Sequence, residues 1–209
     1  MIVLINPNST VAMTEAMLRT ARETAPGAVF EGWTSHDGPP SIQGREDGDA
    51  ATPPLLDLVA KASDLDATAI VVACFDDTAL AQARSLAACP VIGIGQAAYT
   101  MAALAGDRFS VVTTMAASVP VLEENIETYG LSRSLARVHA SAVPVLALED
   151  PASTRKVVDT ILIAEREDDV QSIVLGCGGM VDIEASARAS TQIRLIDGVR
   201  AAAHFAAAL

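Results

Sequence analysis

Aromatic side chains are scarce in this chain: one Trp, two Tyr and four Phe make up 3% of 209 residues, although 51% of the sequence is hydrophobic. A core so poor in rings has to be built from Ala, Val, Leu and Ile. That composition suits helices packed on a parallel sheet, whose buried strands read as continuous aliphatic runs. Positive charge is also in short supply. Fourteen Lys and Arg stand against 26 Asp and Glu, a net charge of −12. The balance argues against nucleic acid, since phosphate binding needs a basic surface, and it disfavours an anionic membrane as partner. No apolar run approaches the ~18 residues of a membrane span. Met1 to Pro7 lacks the basic lead and the apolar length of a signal peptide, so a cytoplasmic protein is expected. Cysteine and histidine number three each. In that compartment the thiols are expected to stay reduced. There is no CxxC or HxxxH spacing, and His36, His139 and His204 are scattered. No metal is expected, because zinc takes three or four ligands.

What the sequence does have is alternation of short aliphatic runs with helical stretches. Strands are expected at Ile2–Ile5, Val29–Trp33, Ala69–Ala73, Val91–Ile94, Phe109–Thr113, Val138–Val143, Ile173–Leu175 and Ile193–Ile196. Met13, Met17 and Ala21 share one helix face at i, i+4 spacing, preceded by the turn Asn6-Pro7-Asn8-Ser9-Thr10. Residues 35–51, rich in Gly, Pro, Ser and Asp, read as a long loop, and long loops are often functional. Pro53 and Pro54 sit where a helix could begin. Further helices are expected over Thr78–Ala88, Gln96–Leu104 and Ser118–Tyr129, from Asp150-Pro151, and from Gly198. Such alternation implies an α/β fold with parallel sheets and right-handed crossovers. The order of elements repeats, which predicts two similar α/β domains related by a pseudo-two-fold axis. The first comprises 1–95 plus 199–209 and carries Cys74; the second comprises 96–198 and carries Cys177.

Those two cysteines stand about half a chain length apart, in "AIVVACFDD" and "SIVLGCGGM". Each ends a strand, and ligands in parallel sheets bind beyond the carboxyl ends of strands. Each precedes a helix or tight turn, whose backbone N–H groups would lower the pKa of a thiol. Burial as a structural residue is the competing reading for any free cysteine; a matched pair makes it less attractive. Cys89, in "AACPVIGIG", reads as packing at a strand entrance. Two opposed thiols suit inversion of a carbon centre, where one group removes a proton from one face and the other delivers one to the opposite face. Sulfurs each about 3–3.5 Å from that carbon lie about 7 Å apart, too far for a disulfide.

The pieces "INPNST" (5–10), "GPPSIQG" (38–44), "VACFDD" (72–77), "PVIGIGQAA" (90–98), "FSVVTT" (109–114), "PVLEENIETYGL" (120–131), "LGCGGM" (175–180) and "LIDGV" (195–199) together resemble the hydantoin and allantoin racemases of the aspartate/glutamate racemase superfamily. The resemblance spans nearly the whole chain. It implies two α/β domains with the active site in the cleft between them, and cofactor-independent racemisation by Cys74 and Cys177. Asn8, Ser9, Thr113, Thr114, Gly178, Gly179 and Met180 would line the substrate pocket. Where amino-acid racemases of the superfamily carry a polar triplet, this chain has Cys74-Phe75-Asp76, as hydantoin-type racemases do. Phe75 thus points to a neutral cyclic ureide rather than a free amino acid. Gly178-Gly179 stands where relatives often have Ala or Thr.

Each lining residue also has an ordinary reading. Asn6 and Asn8 around Pro7 favour a tight turn. Thr113-Thr114 can end a strand and cap a helix, glycines 178 and 179 can serve a turn, and Asp76 and Asp77 can be helix N-terminal charges. The expected function is inversion at C5 of 5-substituted hydantoins, allantoin included, by an enzyme that forms homo-oligomers. The alternatives are another superfamily enzyme, such as a maleate cis-trans isomerase, amino-acid racemase or decarboxylase, and a two-domain protein that binds a small ligand without reacting.

Overall fold

The computed structural model describes residues 1–106 and 108–209. In the first half β1 (Ile2–Asn6), β2 (Phe30–Thr34), β3 (Ala69–Val72) and β4 (Val91–Gly93) form one sheet. Helices α1 (Val11–Thr24), α2 (Arg45–Asp64) and α3 (Leu80–Leu86) connect them. In the second half β5 (Phe109–Thr113), β6 (Leu135–Ala140), β7 (Ser172–Gly176) and β8 (Arg194–Asp197) form another. They are joined by α5 (Val119–Thr128), α6 (Pro151–Glu167) and α7 (Ile183–Ala187). Helix α4 (Ile94–Ala105) carries the chain from one sheet to the other, and α8 (Gly198–Ala207) follows the last strand.

Strand order is β2-β1-β3-β4 in one sheet and β6-β5-β7-β8 in the other, and every pairing is parallel. The two halves therefore share one topology, with Cys74 and Cys177 after the third strand of each sheet in chain order. Side chains on a strand alternate between faces, and β1 shows what that does here. Val3 and Ile5 face Leu55 and Val59 of α2, while Ile2 and Leu4 face a second cluster containing Met17 and Tyr99. That second cluster runs on into Phe109, Val111, Val174 and Ile196 of the other sheet, so one core spans both halves. Helix α8 packs against α1, α4, β3 and β4, and α4 packs against β7 and α5. A third cluster buries Ile173, Leu175, Val157 and Ile161 between the second sheet and α6. Among the described residues no helix is long and apolar enough to cross a membrane.

Several boundaries differ from the sequence expectation, and three of the differences bear on the site. Helix α2 begins at Arg45, so Pro53 and Pro54 lie inside it rather than at its start, and the loop spans 35–44 rather than 35–51. The carbonyls those prolines leave without an N–H partner belong to Asp49 and Ala50, which are exposed and can be hydrated. Strand β6 runs Leu135–Ala140 rather than Val138–Val143. It is an edge strand whose register shifts between Phe109 and Val111, and Val138 alone among its residues is buried. Helix α3 starts at Leu80, not Thr78, because two turns with left-handed Asp77 (φ 48°) and Ala79 (φ 51°) come first.

Candidate active site

Cys74 follows β3 after one residue, Ala73, whose N–H continues the ladder to the carbonyl of Ile5 (2.8 Å). The chain then folds back at once. Asp77 N donates to Cys74 O (3.0 Å) and Leu80 N donates to Asp77 O (3.1 Å). This double turn returns residue 78 over residue 74, and the Thr78 hydroxyl donates to Cys74 Sγ at 3.3 Å. Cys177 follows β7 directly and heads the short 3-10 turn Gly178–Met180, closed by Met180 N donating to Cys177 O (3.0 Å). The Gly179 N–H reaches its sulfur.

The two sulfur-bearing residues line one cavity. Asn8, Phe75, Thr113, Thr114 and Gly178 line it too, as do Met13, Ile42, Asp76, Ser118 and Val145. Asn8 is buried and held from several sides. Its Oδ1 accepts from Asn6 Nδ2 (2.9 Å) and Thr10 N (2.9 Å), leaving Nδ2 against the thioether of Met13 (3.3 Å). A thioether is a weak acceptor, so that N–H₂ is available to a better one. Thr113 Oγ1 already donates to Gly176 O (2.8 Å), bracing β5 against β7. The Phe75 ring is buried edge-on against Tyr99, with centroids 5.4 Å apart at 90°; it supports the cysteine loop from the core. Three expected lining residues lie elsewhere. Ser9 pins the 35–44 loop through its N–H to Pro39 O (2.9 Å). Met180 is fully buried in the core beneath α6. Gly179 lines a neighbouring cavity.

The electrostatics run against the expectation of a stabilised thiolate. Burial pushes the Cys74 thiol well above its ordinary value, and the Asp76 carboxylate adds to this; the Thr78 hydroxyl and the Asp76 N–H oppose it. Burial likewise pushes Cys177 up to about 12; the Gly179 N–H works the other way, and Asp76 and Asp197 raise it further. No helix N-terminus addresses Cys74, because five residues of turn separate it from α3, and the donors present are fewer than desolvation requires. Burial thus favours the neutral thiol at both positions.

Asp76 and Asp77, which can be read as charges at the start of the helix that follows them, do not serve that helix. Asp76 Oδ2 accepts from Gly44 N (3.2 Å) and Ser118 Oγ (3.4 Å), and its carbonyl accepts from Asn125 Nδ2 (2.8 Å). It thus joins the 35–44 loop to Ser118 and to Asn125 of α5 in the second half, and burial raises it to about 6. Asp77 is buried and caps α4 from outside, accepting from Gly95 N (3.0 Å), Gln96 N (2.7 Å) and Tyr129 Oη (2.8 Å). Burial raises it to about 7 despite these donors. The loop is tied across the cleft as well: Val145 N donates to Gln43 Oε1 (3.0 Å), and Arg45 pairs with Glu124 (2.6 Å). Thr78 was missed because nothing in a linear reading reveals the double turn. Ile42 and Val145 were missed because each sits in an irregular segment. Among the described residues, no three His, Cys, Asp or Glu side chains come together to hold a metal ion.

Comparison with known proteins places this geometry. The profile of the Asp/Glu/Hydantoin racemase family matches residues 2–206. A hydantoin racemase of Rhizobium meliloti is 41% identical over 209 residues, covering 99% of this chain and 87% of that one. The solved allantoin racemase from Klebsiella pneumoniae superposes with a TM-score of 0.95 at 37% identity, over 100% of this chain and 86% of that chain. The allantoin racemase from Pseudomonas fluorescens does so at 0.93 and 34%, over 100% and 89%.

Proposed function

Since the chain belongs to the Asp/Glu/hydantoin racemase family and is therefore a racemase, we propose that it inverts C5 of 5-substituted hydantoins by proton transfer between two cysteines. The observation that carries this reading is that Cys74 and Cys177, from equivalent positions in the two halves, line the same cavity. The thiolate form of one cysteine takes the C5 proton. The electron pair of that C–H bond moves into the ring and onto the adjacent carbonyl oxygen, leaving C5 planar. The thiol of the other cysteine then gives its proton to the opposite face, and the negative charge ends on that second sulfur. The roles exchange with substrate handedness, so no redox partner is needed. Asn8 Nδ2 is placed to donate to a ring carbonyl, because it has only a thioether as its present acceptor.

Two buried, neutral thiols fit this scheme in one respect and burden it in another. The acid partner has to be protonated, which burial favours. The base partner has to ionise; a sulfur titrating near 12 is seldom a thiolate at neutral pH, yet it is a strong base once formed. A neutral cyclic ureide adds no further charge to the cavity, whereas a free amino acid would bring an α-carboxylate beside Asp76.

The test is optical. Wild-type protein should abolish the rotation of one enantiomer of a 5-substituted hydantoin, and Cys74→Ala and Cys177→Ala should each lose at least about a thousandfold in kcat, the upper part of the range for a positioned acid or base. Full racemisation by either variant would exclude the two-cysteine scheme. Cys74→Ser should retain slow exchange of the C5 proton with solvent deuterium for one enantiomer alone.

A further inference from the structure

Asp76 is the one carboxylate among the described residues that line the thiol cavity. Its charge works against both sulfurs, since it raises each thiol. Either cysteine would ionise more easily without it. The fold nevertheless fixes this carboxyl from both halves. Gly44 N (3.2 Å) reaches it from the first half and Ser118 Oγ (3.4 Å) from the second, and both donate to Oδ2. The other oxygen, Oδ1, receives no hydrogen bond from any described residue and is not sealed from its surroundings. It is the acceptor left to a ligand.

The remaining polar side chains of the cavity have other capacities. Asn8 Oδ1 is occupied by Asn6 and Thr10, so Asn8 offers a donor. Thr113 and Ser118 give their hydroxyl protons to Gly176 O and to Asp76. Thr114 adds a neutral hydroxyl. A cyclic ureide brings carbonyl oxygens and ring N–H groups together. Its carbonyls match Asn8 Nδ2. A ring N–H polarised by neighbouring carbonyls matches a carboxylate, and such charge-assisted bonds are about twice as strong as neutral ones. A dicarboxylate such as maleate would meet like charge at the same place.

We propose that Asp76 is a specificity-determining residue whose Oδ1 accepts a ring N–H of the cyclic ureide, selecting rings with a free N–H over N-alkylated rings and dicarboxylates. The proposal rests on the hydantoin racemase reading above. In Asp76→Asn the carboxamide oxygen would stay with Gly44 N and Ser118, turning Nδ2 toward the ligand, so that a donor faces a donor. The test titrates hydantoin, 1-methylhydantoin and 3-methylhydantoin calorimetrically; none has a C5 substituent, so none has a handedness to invert. Wild type should bind hydantoin at least about tenfold more tightly than one of the two methylated rings, the scale of a hydrogen bond to a charged group. Asp76→Asn should weaken hydantoin by about tenfold or more and that methylated ring far less, so the ratio between them collapses. Asp76→Ala, with room for the methyl group, should collapse it too. Weaker ligand binding alongside faster thiol alkylation in Asp76→Asn would separate recognition from damage to the site. Equal weakening of all three ligands would mean that Asp76 only holds the 35–44 loop, and an unchanged Kd for hydantoin in both variants would mean that it touches no ligand; either result overturns the proposal. Equal binding of the three rings by wild type overturns it without any variant. Failure of wild type to racemise 5-benzylhydantoin would instead sink the underlying reading.

Discussion

Two side chains set the reactivity of the cysteines in opposite ways, and they act over different ranges. Thr78 touches one sulfur through a 3.3 Å hydrogen bond, whereas the Asp76 charge raises both thiols. Removing the hydroxyl should therefore affect one cysteine, and removing the charge should affect two. In Thr78→Val the alkylation rate of Cys74 at fixed pH should drop by about tenfold or more, as expected for loss of a hydrogen bond to a charged group worth about 1.5–3 kcal/mol. Cys177 should be unchanged, and Thr78→Ser should restore Cys74. In Asp76→Asn both thiols should titrate lower and alkylate faster at pH 8. Site-resolved mass spectrometry after timed alkylation reads both results; an equal loss at both cysteines in Thr78→Val would mean the hydroxyl serves the fold rather than the sulfur. Burial decides more than either residue does. That is why a low thiol pKa, expected from cysteines at strand ends, is absent: the sequence locates the turn but not the depth of the cavity.

At the scale of the element, the aliphatic strands were legible because buried parallel strands leave little room for other residues. The runs Ile2–Ile5 and Phe109–Thr113 lie in β1 and β5, and Ala69–Ala73 overruns β3 by one residue. What escaped was structure held by polar or long-range contacts. The first two turns of α2, from Arg45 to Thr52, bury Ala51 alone and so carry no apolar periodicity. They are fixed by Asp47 Oδ2 accepting from Gln43 N (2.9 Å) and by Gly44 N reaching Asp76 across the site. Gly44 itself has φ +100°, and a Cβ there would lie 2.7 Å from Ala117 O. Gly44→Ala should consequently lower stability by about 1 kcal/mol or more, the cost of a strained backbone, and loosen the tie to the second half. Calorimetry checks the first, and faster tryptic cleavage at Arg45 checks the second. Tyr99 in α4 gives the converse case. Its ring is fully buried between Phe75 and Phe109, but its hydroxyl is buried with no partner. Tyr99→Phe removes that unpaired group and should leave the melting temperature unchanged or raise it; a fall of several degrees would show that the hydroxyl is satisfied in solution.

For the molecule as a whole, the two halves meet through polar groups that sit at an energetic cost when charged. Asp76 is raised to about 6, Asp77 to about 7 and Asp197 to about 6, each chiefly by burial. A carboxyl whose folded pKa lies above its ordinary 3.8 holds its proton longer in the folded state. Its contribution is full below the unfolded pKa and is lost as pH rises through the folded one. The urea midpoint should accordingly fall between about pH 5 and pH 8. Asp168 has the opposite sign. Burial alone would raise it, but Ser110, His139 and Arg137 together lower it, so its contribution disappears only in acid. A midpoint that climbs steadily from pH 5 to pH 8 would contradict the burial of the three acids. The pseudo-symmetry was readable from two matched cysteine strands. The shared core, with Phe109 and Val111 joining Leu4 and Met17, was not, because it depends on how α4 and α8 sit between the sheets. That packing is what brings Cys74 and Cys177 to one cavity. Isotope transfer in a single turnover tests that convergence most directly. With one enantiomer of a 5-substituted hydantoin in deuterated water, transfer between two sulfurs predicts that the first product formed carries deuterium at C5 while unreacted substrate keeps its hydrogen. Product that retains the original hydrogen would mean that one group serves both faces.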